Sequence, residues 1–402
     1  MLDFTASPAI VCTVVEGERL SLGHLANPAF ATELAQIDPL PHQRLAVYQH
    51  LLPQTRLRFL LADDAGAGKT IMAGLYIRDL LSRRLIRRVL IVPPAGLVGN
   101  WQRELQTLFS LTFLIVSGVD AKAANPFVGV TGDQVIVSLD TLTGERVFGR
   151  LREAATEPYD LVIFDEAHKL AADRNADFSV RRTDRYQLAE ALAGVPGLDA
   201  GWTLPWRTHH LLLLTATPHM GKDYPWFALW RLLDPWVFTT PRALAEYPIP
   251  QRSRYFLRRV KEEMLTLDGG PLYPTRIADT LGYALQQGAI SEQTLYDQTT
   301  DYLENLYNRA KLLNRSAAKL AMSVFQRRLA SSTWALLRSF ERRLEKLSAL
   351  IADVRQGRLS MVQLTLLQRD LDHQAHDPFD DRTADEEQGG HQPPRAANAV
   401  LS

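Results

Sequence analysis

From residue 59 to residue 77 the chain runs Phe-Leu-Leu-Ala-Asp-Asp-Ala-Gly-Ala-Gly-Lys-Thr-Ile-Met-Ala-Gly-Leu-Tyr-Ile. An apolar run of strand length, a glycine loop and the start of a helix follow one another, the order a phosphate-binding loop needs. Gly66 and Gly68, with Ala67 between them, let backbone N–H groups approach phosphate oxygens without Cβ clashes. The helix that follows points its positive end at the same anion. Lys69 is expected to reach the β- and γ-phosphates of ATP, and Thr70 to offer its hydroxyl to Mg²⁺. Asp63 stands where the pattern Gly-x4-Gly-Lys-Thr has its first glycine.

Two further runs carry chemistry. Leu161-Val-Ile-Phe-Asp165-Glu166-Ala-His168 is an apolar strand that delivers two adjacent carboxylates. Phosphoryl transfer from ATP needs an anionic partner for Mg²⁺, and Asp165 supplies it. Glu166 is placed to orient or activate the attacking water, and His168 to sense the γ-phosphate. Leu211-Leu-Leu-Leu-Thr215-Ala-Thr217-Pro218 ends a buried strand in two hydroxyls and a proline. Thr215 and Thr217 are expected to hydrogen-bond the Asp165 and Glu166 carboxylates and couple hydrolysis to movement. Gln43, ahead of an expected helix at 46–48 and the loop, fits an adenine reader, because an amide donates and accepts at N6 and N7 together.

The elements that must position these residues are read from an alternation. Apolar runs at 59–62, 89–92, 113–116, 135–138, 161–164 and 211–215 are separated by helix-length segments. Continuous apolar strands between helices predict an α/β fold with a mostly parallel sheet covered on both faces. Ligands then sit at the carboxyl ends of the strands. Five of the six runs end in polar or Pro/Gly clusters, which places the candidate chemistry on one edge of one sheet. Ahead of this lobe, residues 1–40 read as a lead-in packed on it, with a β-like run at 9–15 and a helix near residue 30. The lobe is expected over 41–265. A helical connector is expected over 266–355, with a helix start at Ser291-Glu292. An acidic, disordered tail is expected over 356–402.

Of 402 residues, Lys+Arg and Asp+Glu number 45 each, so no global charge announces a nucleic-acid or membrane partner. The single cysteine, Cys12, excludes a disulfide framework and a cysteine-rich metal site. Without a signal segment or an apolar run of roughly 18 residues, the expected setting is cytoplasmic, with no membrane.

Taken in order, Gln43, the loop 63–70, Pro93-Pro-Ala-Gly-Leu-Val-Gly-Asn-Trp101, Ser138-Leu-Asp-Thr141, Asp165-Glu-Ala-His168 and Thr215-Ala-Thr-Pro218 resemble superfamily two helicases. Asp63 in place of glycine is ordinary for helicase-like ATPases. The loop variant and Asn100-Trp-Gln-Arg-Glu104 resemble the Swi/Snf-related branch, whose members translocate on double-stranded DNA. Leu40-Pro-His-Gln43, Leu257-Arg-Arg259, Gly270-Pro-Leu-Tyr-Pro274 and Arg327-Arg-Leu-Ala-Ser-Ser332 are similar to a bacterial group that includes phage-defence helicases of the DISARM type. The resemblance spans residues 38–347. It implies a RecA-like ATP-binding lobe of DEAH-box type, with ATP and Mg²⁺ as cofactors and double-stranded DNA as partner.

By the same resemblance Pro93, Trp101, Ser138 and Thr141 would face DNA, although packing explains Trp101 equally well. Arg258 would sit near the hinge to a second lobe or pair with a carboxylate of the first. The basic run 311–346 could track DNA phosphates or be a solvated helical face. Such ATPases take arginines from a second lobe, usually in a Gln-x-x-Gly-Arg-x-x-Arg segment, and residues 256–402 contain no such segment. The expectation is a truncated or split enzyme, weakly active alone, whose second lobe comes from another chain. A catalytically inactive nucleotide- or DNA-binding partner subunit is the alternative. A P-loop kinase is disfavoured by the Asp-Glu-Ala-His and Thr-Ala-Thr-Pro pair.

Overall fold

The computed structural model describes residues 7–170, 172–174, 179–219, 221–277, 279–280 and 291–310, with scattered positions between 334 and 356. The expected tail beyond residue 356 and most of the basic run 311–346 lie outside the described residues. Those residues fall into two compact units, one reaching to Arg276 and the other beginning at Ile277. In the second, Glu292–Ala310 is helical, and the Ser291 hydroxyl accepts from Thr294 N at 3.2 Å, capping that helix.

Nine strands belong to the first unit: β1 Arg58–Leu61, β2 Val89–Val92, β3 Leu114–Val116, β4 Gln134–Val137, β5 Leu161–Phe164, β6 Ala172–Arg174, β7 Val180–Arg182, β8 His210–Leu214 and β9 Phe256–Leu257. Seven form one sheet in the order β3-β4-β2-β5-β8-β1-β9, with every pairing parallel. The remaining two, β6 and β7, make a separate antiparallel pair. All six expected apolar runs are strands of the one sheet. β9 is an addition of two residues, too short to show as an apolar run.

The central strands are apolar along most of their length because both faces are covered. Side chains alternate between two cores. Leu60, Val162, Phe164, Leu211 and Leu213 pack on one side with Tyr186, Phe227 and Trp230. Phe59, Leu61, Leu161, Ile163, Leu212 and Leu214 pack on the other with Tyr76, Trp101 and Phe109. The sheet is thus a RecA-like α/β core.

The lead-in departs from expectation. Residues 9–15, read as a β-like run, belong to the helix Pro8–Ala26. Local signals outweigh β propensity there: Ser7 accepts from Ile10 N, Pro8 occupies the first turn, and Arg19 pairs with Glu16 one turn away. The helix leaves Ile10, Val11, Val14 and Val15 exposed. The short helix Phe30–Leu34 does pack on the lobe. Its Phe30 and Ala31 are buried, and Arg83 donates to the Pro28 carbonyl at 2.7 Å.

The helix Lys69–Ser82 lies against the helix Val98–Phe109 through Gly74, where a Cβ would come within 2.4 Å of the buried Phe109 ring. Alanine is normally the better helix residue by ~1 kcal/mol. Here overpacking reverses the sign, and Gly74→Ala is expected to lower stability by about 1–3 kcal/mol in urea denaturation. A gain would show that the helices separate freely.

His210 opens β8, is buried, and its Nδ1 accepts from Leu57 N at 3.0 Å. Burial pulls its pKa from 6.5 down to about 4. A group depressed in this way contributes stability above its unfolded value, and that contribution is lost as pH falls from about 6.5 to 4. The loss is expected to approach ~3 kcal/mol, the free-energy equivalent of that shift. Stability of His210→Gln measured across that window should be flatter than wild type.

Candidate active site

Strand register brings the candidate residues together. β5, β8 and β1 are neighbours, so Asp165, Thr215 and the loop after Leu61 emerge side by side at their carboxyl ends. Gly66 and Gly68 have φ of +78° and +81°, conformations that side chains with a Cβ rarely adopt. The amides of Gly66, Gly68, Lys69 and Thr70 donate no backbone hydrogen bond among the described residues. A row of free donors at a helix N-terminus is an anion cradle.

Lys69 Nζ donates to the carbonyls of Asp63 at 2.8 Å and Asp64 at 3.1 Å. Burial holds its pKa below the usual lysine value, although Glu166, Asp165, Asp63 and Asp64 pull the other way. Asp165 is 9% exposed. Its Oδ2 accepts from Trp101 Nε1 at 2.8 Å and its Oδ1 from Glu166 N at 2.9 Å. Burial raises its pKa above the ordinary carboxylate value, against the Trp101 hydrogen bond that lowers it. Glu166 has φ of +49°, a costly conformation for a residue with a side chain. Its carboxylate lies 3.2 Å from His168 Nδ1, and that contact holds its pKa low.

Thr215 and Thr217 are arranged differently from the sequence expectation. Thr215 is fully buried, but its hydroxyl meets His168 Nδ1 at 3.0 Å and Thr217 N at 3.2 Å rather than a carboxylate. His168 stands between Thr215 and Glu166 because the left-handed turn at Glu166 directs that carboxylate to the imidazole. Thr217 is exposed, and its side chain makes no hydrogen bond among the described residues. Gln43 is buried. Its Nε2 donates to the Ala67 carbonyl at 3.1 Å and its Oε1 accepts from Leu40 N at 2.9 Å.

Pro93 and Ser138 end the neighbouring strands β2 and β4 and are joined by Leu139 N donating to the Pro93 carbonyl at 2.9 Å. Ser138 donates to the Thr141 hydroxyl at 2.8 Å and caps the short helix Leu139–Thr143. Trp101 stands apart from a surface role. It is 1% exposed, with its indole turned onto Asp165, as the packing alternative requires.

Several residues here were missed in the sequence. Arg259, not Arg258, meets the fully buried Asp63, through Nε at 3.2 Å and Nη2 to the other oxygen, with its backbone N on Oδ1 at 3.0 Å. It also donates to the His42 carbonyl at 2.8 Å. Two residues on, Lys261 N donates to Asp64 at 3.2 Å, and Arg276 pairs with the same carboxylate at 2.7 Å. Lys261 Nζ would lie 3.2 Å from a Cβ on Gly66. His42 Nε2 bonds the Ala67 carbonyl at 2.8 Å. The Leu257-Arg-Arg259 motif was the available signal, but nothing local distinguishes which arginine points inward.

Among the described residues no cluster of three or more His, Cys, Asp or Glu could hold a metal alone. The donors present still fit a divalent ion that completes its shell with water and phosphate oxygens. Asp165 retains acceptor capacity beyond its two hydrogen bonds, and the Thr70 hydroxyl makes none among the described residues.

These features define the ATP-binding lobe of a P-loop ATPase. Residues 36–220 match the family described as type III restriction enzyme, res subunit. The chain is 29% identical over 322 residues to the uncharacterized ATP-dependent helicase YqhH of Bacillus subtilis (strain 168), covering 78% of this chain and 50% of YqhH. It is 37% identical over 202 residues to the RNA polymerase-associated protein RapA of Serratia proteamaculans (strain 568), covering 49% of this chain and 18% of RapA. It thus spans about half the length of the first and under a fifth of the second. The Sulfolobus solfataricus SWI2/SNF2 ATPase core in complex with dsDNA superposes with a TM-score of 0.45 at 16% identity, over 79% of this chain and 66% of that one. The family match and the curated relatives make this lobe similar to the ATP-binding lobes of ATP-dependent helicases. Among the described residues no helix is long and apolar enough to cross a membrane.

The Asp63–Arg259 pair should dominate local stability. Arg259→Met leaves a buried carboxylate unpaired and is expected to cost about 3–5 kcal/mol. Adding Asp63→Asn should recover a large part of the loss. A double variant no more stable than Arg259→Met in denaturant titration would sink this assignment.

Proposed function

We propose that this lobe binds ATP with Mg²⁺ and, closed against a second helicase lobe, hydrolyses it to drive movement on double-stranded DNA. The observation that supports this reading best is the convergence of Lys69, Asp165, Glu166 and the free loop amides at the ends of adjacent strands. In this reading Gly66, Ala67, Gly68 and Lys69 hold the β- and γ-phosphates, and Lys69 exchanges its two carbonyl partners for phosphate oxygens. Thr70 and Asp165 hold the metal ion, which when bound neutralises phosphate charge. Glu166, the DEAH-box glutamate, orients the attacking water, and its low pKa keeps it an acceptor at neutral pH. His168 and Thr215 relay the state of Glu166 to the strand end. Gln43 reads adenine after leaving the Ala67 carbonyl. Pro93, Ser138 and Thr141, on the same sheet edge, contact DNA phosphates without reading sequence.

The division into lead-in 1–40, ATP-binding lobe 41–265 and helical connector 266–355 belongs to the same proposal. The second lobe comes from a further segment or a separate chain. Its arginines would raise turnover by roughly 10³–10⁵.

The test is ATP hydrolysis with and without double-stranded DNA, for wild type, Lys69→Ala and Glu166→Gln, alone and with the product of the surrounding locus. Wild type alone should turn over well below the ~1 s⁻¹ common among enzymes. With the second lobe present, DNA should stimulate it, and each substitution should cost at least ~10²-fold. Near-zero rates in all three under both conditions would favour an inactive nucleotide- or DNA-binding partner subunit.

A further inference from the structure

At the opposite end of β1 from the nucleotide loop, a cavity of about 220 Å³ is lined by Arg56, Arg58, Arg207 and Arg254, with Asp234 and Trp236. Four arginines line it with one acidic residue. That carboxylate is already engaged: Asp234 accepts from the backbone of Trp236 and Val237 at 3.1 Å each and from the Tyr255 hydroxyl at 3.3 Å. Arg56 and Arg207 make no hydrogen bond or ion pair among the described residues.

Arg58 is the centre of the cluster. It is 6% exposed, donates through Nη1 to the Ala193 carbonyl at 3.0 Å and through Nη2 to the Thr208 carbonyl at 2.6 Å, and its buried Nε has no partner. A buried donor without an acceptor costs free energy that a ligand oxygen would return. Burial, followed by the charges of Arg56 and Arg207, pulls its pKa down to about 9. Two exposed arginines held beside a buried one repel it, Asp234 opposes that repulsion, and an anion in the cavity would offset it further. The arrangement is built: Gly194, at φ of +75°, lets the Arg207 stem lie where a Cβ would come within 2.7 Å.

We propose that this cavity is a second anion site, which takes a small phosphate-bearing ligand such as inorganic phosphate or a diphosphate. Arginine forks suit phosphate oxygens, and more than one guanidinium calls for more than one negative charge. The volume is below the ~300–1,000 Å³ of sites for drug-sized ligands, which suits a phosphate head and not a whole nucleotide. Trp236, 74% exposed on the rim, offers a flat face to whatever group the phosphate carries. Arg58 and Asp63 are five residue steps apart along extended chain, roughly 16 Å, so this site and the nucleotide loop do not share donors.

Isothermal titration with pyrophosphate at constant ionic strength tests the site, using the full chain carrying Lys69→Ala to weaken the nucleotide loop. Saturable one-to-one binding is expected, weakened at least tenfold by Arg56→Ala with Arg207→Ala. Both residues are exposed, so the pair leaves the core intact, which circular dichroism checks. Trp236→Phe should remove the accompanying change in tryptophan fluorescence. Unaltered affinity in the arginine pair, or an equal response to chloride, overturns the proposal. Binding of a double-stranded DNA oligonucleotide that depends on these arginines, without pyrophosphate binding, also overturns it and assigns the patch to nucleic-acid phosphates.

Discussion

The carboxylate of Asp63 has no access to water, and its charge is borne by the guanidinium and backbone N–H of Arg259. An isolated charge in that position would be prohibitive, so the loop and the segment after β9 form together or not at all. Through this pair a strand of two residues becomes a fixed edge of the sheet. Lys261 and Arg276 are carried with it to Asp64 and Gly66. The phosphate loop is therefore shaped from both sides: His42 and Gln43 bond the Ala67 carbonyl, and the chain beyond β9 holds Asp63 and Asp64. Pairing in place of the usual glycine at the first loop position links the loop directly to the segment that leads out of the lobe.

The two central ionisable groups are each pushed toward neutrality by burial, Lys69 downward and Asp165 upward. Neighbours oppose that push, the indole of Trp101 at Asp165 and four carboxylates around Lys69. In the proposed function, a polyanion arriving with a divalent cation would satisfy both groups at once. Glu166 differs, because His168 stabilises its ionised form.

Much of this was legible in the sequence for a simple reason. Doubly buried strands leave continuous apolar runs, and a phosphate loop needs glycine where φ is positive, so β1, β2, β4, β5, β8 and the loop could be read locally. The helix Pro8–Ala26 was misread because Ile10, Val11, Val14 and Val15 have high β propensity, while the Ser7-Pro8 start is the weaker signal. Partnerships across long separations could not be read. Charge alone does not say that Arg259 rather than Arg258 turns inward, nor that Arg56, Arg58, Arg207 and Arg254 share one cavity. Trp101 carries the same letter whether it stacks on a ligand or supports a carboxylate. The interposed position of His168 follows from the backbone at Glu166, which residue type does not announce.

The placement of Asp165, Thr215 and Lys69 just past the ends of β5, β8 and β1 has a consequence for how such a chain can change over time. Because side chains alternate faces, one residue inserted inside β8 would exchange its two cores and displace Thr215 by a full strand step. The same insertion in the connection leading into that strand would be absorbed by the loop. Variation in length should therefore accumulate at the amino-terminal rim of the sheet, while the carboxyl-terminal rim keeps its spacing to the residue. The lobe can be extended and remodelled on one edge only.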